Sequence, residues 1–163
     1  MTNNWSTRTA TDADIPELVR VINAAYRVED FFIDGDRTDA DDIRTRMSDP
    51  AMRVIVVDRD GSESLAGCVL ADVHDARGHF AMLSVDPPLQ GRGVARVLLN
   101  AVEEHCRSEG CEALDLESVD LREELPAFYE MLGFRAVSTA PFPQQRKLTR
   151  PAHLVIMSKA LGK

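Results

Sequence analysis

Residues 83–95 read LSVDPPLQGRGVA, and this stretch decides the fold of the chain. It joins an apolar strand predicted over residues 79–85 to a long helix predicted from about Gly91 to Glu109. Two prolines stiffen the loop between them, because proline fixes φ and removes a backbone donor. The two glycines of QGRGVA let a ligand approach the backbone where any Cβ would collide with it. The stretch therefore predicts a strand, a stiff turn and a helix start that is open to a ligand.

The start of this helix has the features of an anion site. Its apolar residues keep the i, i+3, i+4, i+7 spacing of an amphipathic helix, and Gly110 stands where a C′ glycine would end it. No Ser, Thr, Asp or Asn stands directly before Gly91 to cap the first backbone amides. Free amides and the positive end of the helix dipole together attract negative charge. We therefore expect a diphosphate to act as the cap.

Two other phosphate-binding motifs do not fit these residues. A Walker A loop needs Lys-Ser or Lys-Thr after its glycines, and neither follows here. A dinucleotide fold needs a third glycine near the start of a βαβ unit, whereas GRGVAR lacks it and follows the fourth predicted strand. The two glycines alone are also compatible with a helix start that binds no ligand, and this alternative stays open at this point.

The remaining pattern predicts the element order βααβββαβαββ. Strands are expected over residues 5–10, 52–58, 65–74, 79–85, 112–118, 134–139 and 152–159. Further helices are expected from Thr11 to Tyr26, from about Thr38 to Asp49 and around residues 125–132. A turn is expected at residues 76–78, between the third and fourth strands. This order indicates an α/β (α+β) sandwich around a mixed sheet.

Composition limits the classes of protein to which the chain can belong. Its 163 residues fit a single domain over residues 1–163, and 44% hydrophobic residues suffice for a core. The net charge of −8 disfavours a nucleic-acid partner, which needs a basic stripe. No apolar run is long enough to span a membrane and no secretory signal is visible, so a cytoplasmic protein without a membrane partner is predicted. The spacing of three cysteines and four histidines predicts buried thiols and no metal site.

Three motifs together resemble the GCN5-related N-acetyltransferase (GNAT) superfamily. Gln90, Gly93 and Ala95 match the family pattern Q/R-x-x-G-x-G/A between a fourth strand and a third helix. Residues 127–134 (AFYEMLGF) and 153–161 (HLVIMSKAL) are similar to the family's tyrosine-containing block and its closing strand. The resemblance implies the GNAT acyl-CoA N-acyltransferase fold, a mixed, mostly antiparallel sheet of about seven strands with helices on both faces.

The same resemblance implies an acetyl-CoA-dependent N-acetyltransferase that moves the acetyl group directly to a primary amine of a small molecule or a protein. A non-catalytic acyl-CoA-binding or sensing domain is the alternative. Backbone groups of Leu83 and Val85 are implied to pair with the pantetheine arm as an added strand, and the amides from Gly91 to Ala95 to hold the pyrophosphate. The residues implied to bind acetyl-CoA are Leu83, Ser84, Val85, Gln90, Gly91, Arg92, Gly93, Val94 and Ala95.

Acyl transfer to an amine needs a base, hydrogen-bond donors for the carbonyl oxygen and an acid for the leaving thiolate. Tyr129 is implied as the general acid, because the tyrosine of this block hydrogen-bonds the CoA sulfur in family members. His79 takes the position at which histone-acetylating relatives carry a glutamate base, and an imidazole that titrates at about 6.5 suits that role. Glu29, Asp30, Glu117 and solvent are open alternatives for the base.

The acceptor side of the reaction gives weaker signals. The loop from Tyr26 to Arg37 and the segment from Ala140 to Pro151 are expected to frame the acceptor amine. Four carboxylates of the first loop favour a cationic acceptor, although two arginines in the same loop partly cancel their field. One position departs from the family, since many relatives carry asparagine where this chain has Arg122. The resemblance also implies a homodimer, which is common in the family.

Overall fold

Seven strands and four α-helices lie within the residues that the structure, a computed structural model, describes: 5–60, 62–143 and 146–162. The strands are β1 (Thr7–Thr9), β2 (Met52–Asp58), β3 (Leu65–His74), β4 (Arg77–Val85), β5 (Ala113–Val119), β6 (Arg135–Pro141) and β7 (His153–Ala160). The helices are α1 (Ile15–Tyr26), α2 (Ala40–Met47), α3 (Val94–Ser108) and α4 (Glu124–Met131). The predicted order βααβββαβαββ is confirmed.

All seven strands belong to one sheet, in the order β1-β2-β3-β4-β5-β7-β6. Neighbouring strands run antiparallel except for β4 and β5, which are parallel. A parallel pair needs a crossover connection, and α3 provides it. The predicted mixed, mostly antiparallel sheet is therefore confirmed.

Helices cover both faces of the sheet, and each face has its own apolar core. On one face α1 and α2 bury Leu18 and Ile43 against β2 and β3. On the other face α3 buries Leu98 and Val102, and α4 joins the same cluster through Tyr129. The apolar stripes of the sequence are thus the buried faces of the helices. Among the described helices, none has the length and apolar character that crossing a bilayer requires.

Most element boundaries differ from the predicted ones by one to four residues. The first strand is shorter than residues 5–10 and spans only Thr7–Thr9. The helix α3 begins at Val94 rather than Gly91, because Gly91 and Gly93 have φ angles of +81° and +90°, which no α-helix accommodates. Both glycines therefore precede the helix instead of forming its first turn.

The predicted turn between β3 and β4 is also misplaced. The structure turns at Asp75 and Ala76, whose φ angles are +49° and +64°, rather than at residues 76–78. Two central residues at positive φ are the type I′ pattern, which matches the twist of the flanking strands. The shorter turn starts β4 at Arg77, and His79 consequently is the third residue of the strand rather than the first.

Candidate active site

The parallel strands β4 and β5 separate partway along the sheet. They pair at three positions, and the last of these joins His79 to Asp115. The register between β3 and β4 shifts close to Met82, whose φ of +54° lies in the left-handed region. An irregularity of this kind bends its strand. The bend leaves the second half of β4 without a partner strand on the side of β5 among the described residues.

A cleft of about 620 Å³, which we call the donor cleft, lies at this separation. The end of β4, the start of α3 and the helix α4 form its walls. Seven of the nine residues that the sequence implies for acetyl-CoA binding line it: Leu83, Val85, Gln90, Gly91, Gly93, Val94 and Ala95. The structure therefore brings the two ends of the LSVDPPLQGRGVA stretch to one surface.

The remaining two residues, Ser84 and Arg92, do not line the donor cleft. Successive side chains of a strand point to opposite faces, and the buried Ser84 hydroxyl donates to the Met82 carbonyl oxygen at 3.0 Å. The Arg92 side chain is exposed to solvent. Arg96 lines the cleft instead. Sequence reasoning missed it, although in the helix predicted from about Gly91 a spacing of four residues would have put Arg96 on the same face as Arg92.

The start of α3 presents free backbone amides to the donor cleft. The Val97 amide donates to the Gly93 carbonyl oxygen at 3.1 Å, which makes it the first hydrogen bond of the helix. The amides of residues 94–96 precede it and have no partner within the helix. Gly93 occupies the N-cap position and carries no side chain that could cap them. A bound diphosphate would supply the missing acceptors and meet the positive end of the helix dipole.

Three contacts hold this anion site in place. The Trp5 indole nitrogen donates to the Arg92 carbonyl oxygen at 3.0 Å, and the Gln90 side-chain amide donates to the Val85 carbonyl oxygen at 3.3 Å. Arg20 reaches the buried Asp86 carboxylate at 3.3 Å and ties the loop after β4 to α1. The Gln90 side chain thus connects the end of the loop to the end of β4.

Tyr129 stands in the wall that separates the donor cleft from a second cleft. It is 7% exposed and lines both clefts. The rings of Phe80, Phe128 and Phe134 surround it at centroid distances of 6.0, 5.1 and 5.8 Å. Burial raises the pKa of the Tyr129 phenol above its ordinary value of 10, so the hydroxyl keeps its proton at neutral pH.

His79 is held between two carboxylates. Its Nδ1 lies 3.0 Å from the Asp72 carboxylate, and its Nε2 lies 2.5 Å from that of Glu117. Burial lowers the pKa of the imidazole, but the hydrogen bonds to Asp72 and Glu117 outweigh burial and raise it to about 10. The ring is therefore an imidazolium at neutral pH and lacks a free lone pair. Glu117, rather than His79, lines the second cleft.

The second cleft, which we call the acceptor pocket, has a volume of about 510 Å³. It shares four lining residues with the donor cleft: Tyr26, Leu125, Arg122 and Tyr129. Both segments expected to frame the acceptor contribute, the first through Glu29 and Arg37 and the second through Phe142 and Arg146. Ser118 also lines this pocket, and its buried hydroxyl has no partner among the described residues.

Arg122, the departure from the family pattern, neutralises a buried carboxylate at the junction of the clefts. One of its guanidinium nitrogens lies 3.2 Å from Glu29, and another lies 3.3 Å from Glu124. Burial raises the pKa of Glu29, whereas the hydrogen bond from Arg122 lowers it in part. Of the other loop carboxylates, Asp36 pairs with Arg27 at 2.5 Å and is exposed. The carboxylates expected to attract a cation are thus largely paired or turned to solvent.

Comparisons with known proteins identify a family and relatives of the chain. Residues 17–134 match the profile of the Acetyltransferase (GNAT) family. The chain is 37% identical over 136 residues to a mycothiol acetyltransferase of Propionibacterium freudenreichii subsp. shermanii. That alignment covers 78% of this chain but only 42% of the relative, so the chain spans less than half of the relative's length.

Solved structures share the fold at low sequence identity. The ribosomal-protein-S18-alanine N-acetyltransferase of Escherichia coli superposes with a TM-score of 0.79 at 16% identity, over 98% of this chain and 96% of that one. The yncA protein of Salmonella typhimurium, determined with acetyl-CoA, superposes with a TM-score of 0.74 at 20% identity, over 99% and 96%. Within the described part of the present chain, no group of three or more His, Cys, Asp or Glu side chains is arranged to hold a metal ion.

Proposed function

Because the chain belongs to the acetyltransferase (GNAT) family, we propose that it transfers the acetyl group of acetyl-CoA directly to a primary amine. The single observation that carries this proposal is the position of Tyr129, in a wall common to the donor cleft and the acceptor pocket. A side chain that faces both substrates can act on the bond that breaks between them.

Acetyl-CoA occupies the donor cleft in this proposal. Its pyrophosphate receives hydrogen bonds from the free amides of residues 94–96, and Arg96 adds a charge-assisted contact. The pantetheine arm runs along the unpartnered side of β4, where Leu83 and Val85 line the cleft. The thioester then lies at the separation of β4 and β5, beside Tyr129.

The reaction forms one bond and breaks another at the thioester carbon. The amine nitrogen attacks the carbonyl carbon, and the carbon–sulfur bond of the resulting tetrahedral intermediate breaks to give an amide and the CoA thiolate. Tyr129 donates a hydrogen bond to the departing sulfur. A phenol is a weaker acid than a thiol. The hydroxyl therefore stabilises the thiolate chiefly as a hydrogen-bond donor. When a proton does pass from Tyr129 to the sulfur, solvent returns a proton to the tyrosine.

Glu117 is the group that accepts the amine proton in this proposal, directly or through a water molecule. Its carboxylate lines the acceptor pocket, whereas the His79 ring behind it is already protonated. His79 consequently has a positioning role, because its two hydrogen bonds fix Glu117 relative to β3 and β4. A base is needed because an alkylamine is mostly protonated at neutral pH, with a pKa of about 10.

Release of the CoA thiol in the presence of a panel of primary amines tests the proposal. We expect thiol release that depends on the amine, together with an N-acetylated product identified by mass spectrometry. Saturable binding of acetyl-CoA without a product from any amine would contradict it and favour an acyl-CoA-binding domain. The homodimer implied by the sequence stays a prediction, and sedimentation of the same preparation tests it.

A further inference from the structure

The charged side chains of the acceptor pocket are mostly basic, although the chain as a whole carries a net charge of −8. Two acidic residues line the pocket, Glu29 and Glu117. The basic residues that line it are Arg37, Arg46, Arg122 and Arg146. The sign of charge inside the pocket is thus opposite to that of the molecule.

Both pocket carboxylates already have a cationic partner. Glu29 lies 3.2 Å from Arg122, and Glu117 lies 2.5 Å from the protonated His79. Of the arginines, Arg46 is paired with Asp42 at 3.0 Å. No acidic group in the pocket is left to attract a second cation.

Arg37 and Arg146 have no ion pair of this kind in the part of the chain that the structure describes, and the carboxylates of Glu29 and Asp42 offset the charge around Arg146 only in part. Within the described residues neither guanidinium has a carboxylate within 4.0 Å; Arg37 stacks over the Tyr26 ring at 5.1 Å. Both residues also line the crevice that adjoins the pocket beside Ile33. Burial lowers the pKa of Arg146, and the positive charge of Arg37 lowers it further. Two like charges that line one pocket are stabilised when an anion binds between them.

We propose that the acceptor amine carries an anionic group, a carboxylate or a phosphonate-like oxyanion, which Arg37 and Arg146 bind. Guanidinium groups suit this role because their planar donors match carboxylate and phosphate oxygens. The inference rests on the proposed acetyl transfer and names the substrate class of the same site. It replaces the cationic acceptor that the loop carboxylates favour in the sequence.

Apolar side chains also line this pocket: Met82, Val119, Leu125, Phe142 and Leu154. In this proposal the acceptor places its amine near Glu117 and its oxyanion near Arg37 and Arg146, and the rest of the molecule contacts the apolar residues. Apolar groups without charge would leave the two arginines desolvated and unpaired.

Acceptors that share a carbon skeleton and differ in the anion test this inference, with kcat/KM compared per free-base amine because an α-carboxylate raises the pKa of the amine beside it. Leucine and leucinamide place the group beside the amine, and 6-aminohexanoate, 6-aminohexanamide and 6-aminohexylphosphonate place it at a distance. We expect an acid or phosphonate to exceed its neutral amide by at least about tenfold in kcat/KM, as expected for one charge-assisted contact. The preferred member of the series identifies the oxyanion and its distance from the amine.

Variants assign the effect to the two arginines. Arg37→Gln and Arg146→Gln keep most of the side-chain volume, and each is expected to lower the ratio of acid to amide kcat/KM about tenfold, mainly through KM. Arg44→Gln removes an exposed arginine that pairs with Asp41 on α2, and it should keep the ratio of the wild type. Melting temperatures verify that each variant is folded.

Calorimetric titration of the same compounds into the CoA-saturated protein separates the two proposals. Binding of the acid but not the amide, lost in Arg37→Gln and Arg146→Gln, supports the anion site even if no amine is acetylated. Equal or faster acetylation of leucinamide, 6-aminohexanamide or spermidine would overturn the anion site while leaving acetyl transfer intact. Ratios that stay unchanged in both arginine variants would overturn it as well.

Discussion

The donor cleft and the acceptor pocket share the wall that contains Tyr129, yet they are made from different parts of the chain. The donor cleft consists largely of backbone: the unpartnered side of β4, two glycines at positive φ and the free amides of α3. The acceptor pocket consists of long charged and apolar side chains from segments far apart in sequence. A backbone site demands particular residues in a particular order, whereas a side-chain pocket can be assembled from almost any residues.

The two regions therefore differ in how far their side chains can change without a change of ligand. A ligand held by backbone amides is recognised in the same way whichever side chains surround it. Recognition by side chains changes with each substitution, and the acceptor pocket of this chain contains Arg37 and Arg146, which form no ion pair among the described residues. Substitutions in the shared wall, in only one of the two clefts, or at His79 beside Glu117 should therefore have separable effects on kinetics and stability.

Loss of the hydroxyl in the shared wall has the largest expected effect. Tyr129→Phe should lower kcat by about 10²–10³, the usual result of removing a donor aimed at developing charge, and should leave the affinity for acetyl-CoA nearly unchanged. Steady-state kinetics and acetyl-CoA titration measure both quantities.

The second tyrosine of the chain is the matched control for this substitution. Tyr26 also lines both clefts, and the sequence indicated it only as the first residue of the loop expected to frame the acceptor. Tyr26→Phe should change kcat by less than about threefold, within the range of a lost neutral hydrogen bond. Full activity of Tyr129→Phe together with an inactive Tyr26→Phe would move the donor role to Tyr26.

Loss of the carboxylate on the acceptor side should affect only that side. Glu117→Gln should lower kcat/KM for the amine by about 10² at neutral pH and leave the KM for acetyl-CoA unchanged. The deficit should shrink as the pH approaches about 10, because the free amine then needs no base. Glu112→Gln, an exposed change just before β5, serves as control. A deficit that stays constant across the pH range would contradict the role of Glu117 as base.

A change on the donor side should have a smaller effect, and it should alter the KM for acetyl-CoA rather than the reaction of the amine. Alanine at Gly93, where φ is +90°, costs about 1–2 kcal/mol of strain, and we expect the KM for acetyl-CoA to rise about tenfold as the loop shifts. Gly110→Ala imposes the same strain at the other end of α3, where φ is +81°. That control should lose similar thermal stability and keep the KM. An equal rise of KM in both variants would show that Gly93 acts through stability alone.

The element order was predictable because it depends on strand, glycine and helix signals within short windows. The resemblance to the GNAT family implied the sheet and the nine donor residues, and seven of the nine line the donor cleft. The misses have local causes too. Gly91 and Gly93 leave the helical region, and the two-residue turn at Asp75 and Ala76 starts β4 two residues earlier than predicted.

The acceptor pocket could not be predicted in the same way. Arg37 and Arg146 are separated by more than a hundred residues, and their meeting depends on how the segment between β6 and β7 folds back over the α1–α2 loop. A single sequence holds no local signal for such a contact. The pairing of His79 with Glu117 likewise requires the register of β4 on β5. The sequence therefore placed His79 near the site without revealing that its lone pair is already used.

The smallest expected effect concerns His79, which lies beside Glu117, and it appears in the pH dependence of stability. The folded-state pKa of His79 is about 10, above the ordinary value of 6.5. Its charge therefore stabilises the fold fully below about pH 6.5, and this contribution is lost as the pH rises toward 10. The melting temperature of the wild type should exceed that of His79→Gln at pH 6, and the difference should shrink steadily up to pH 10.5. His105→Gln is the control, because burial lowers the pKa of His105 and predicts no such decline. A constant difference between wild type and His79→Gln would mean that His79 is neutral in the folded protein, and the role of base would return to it.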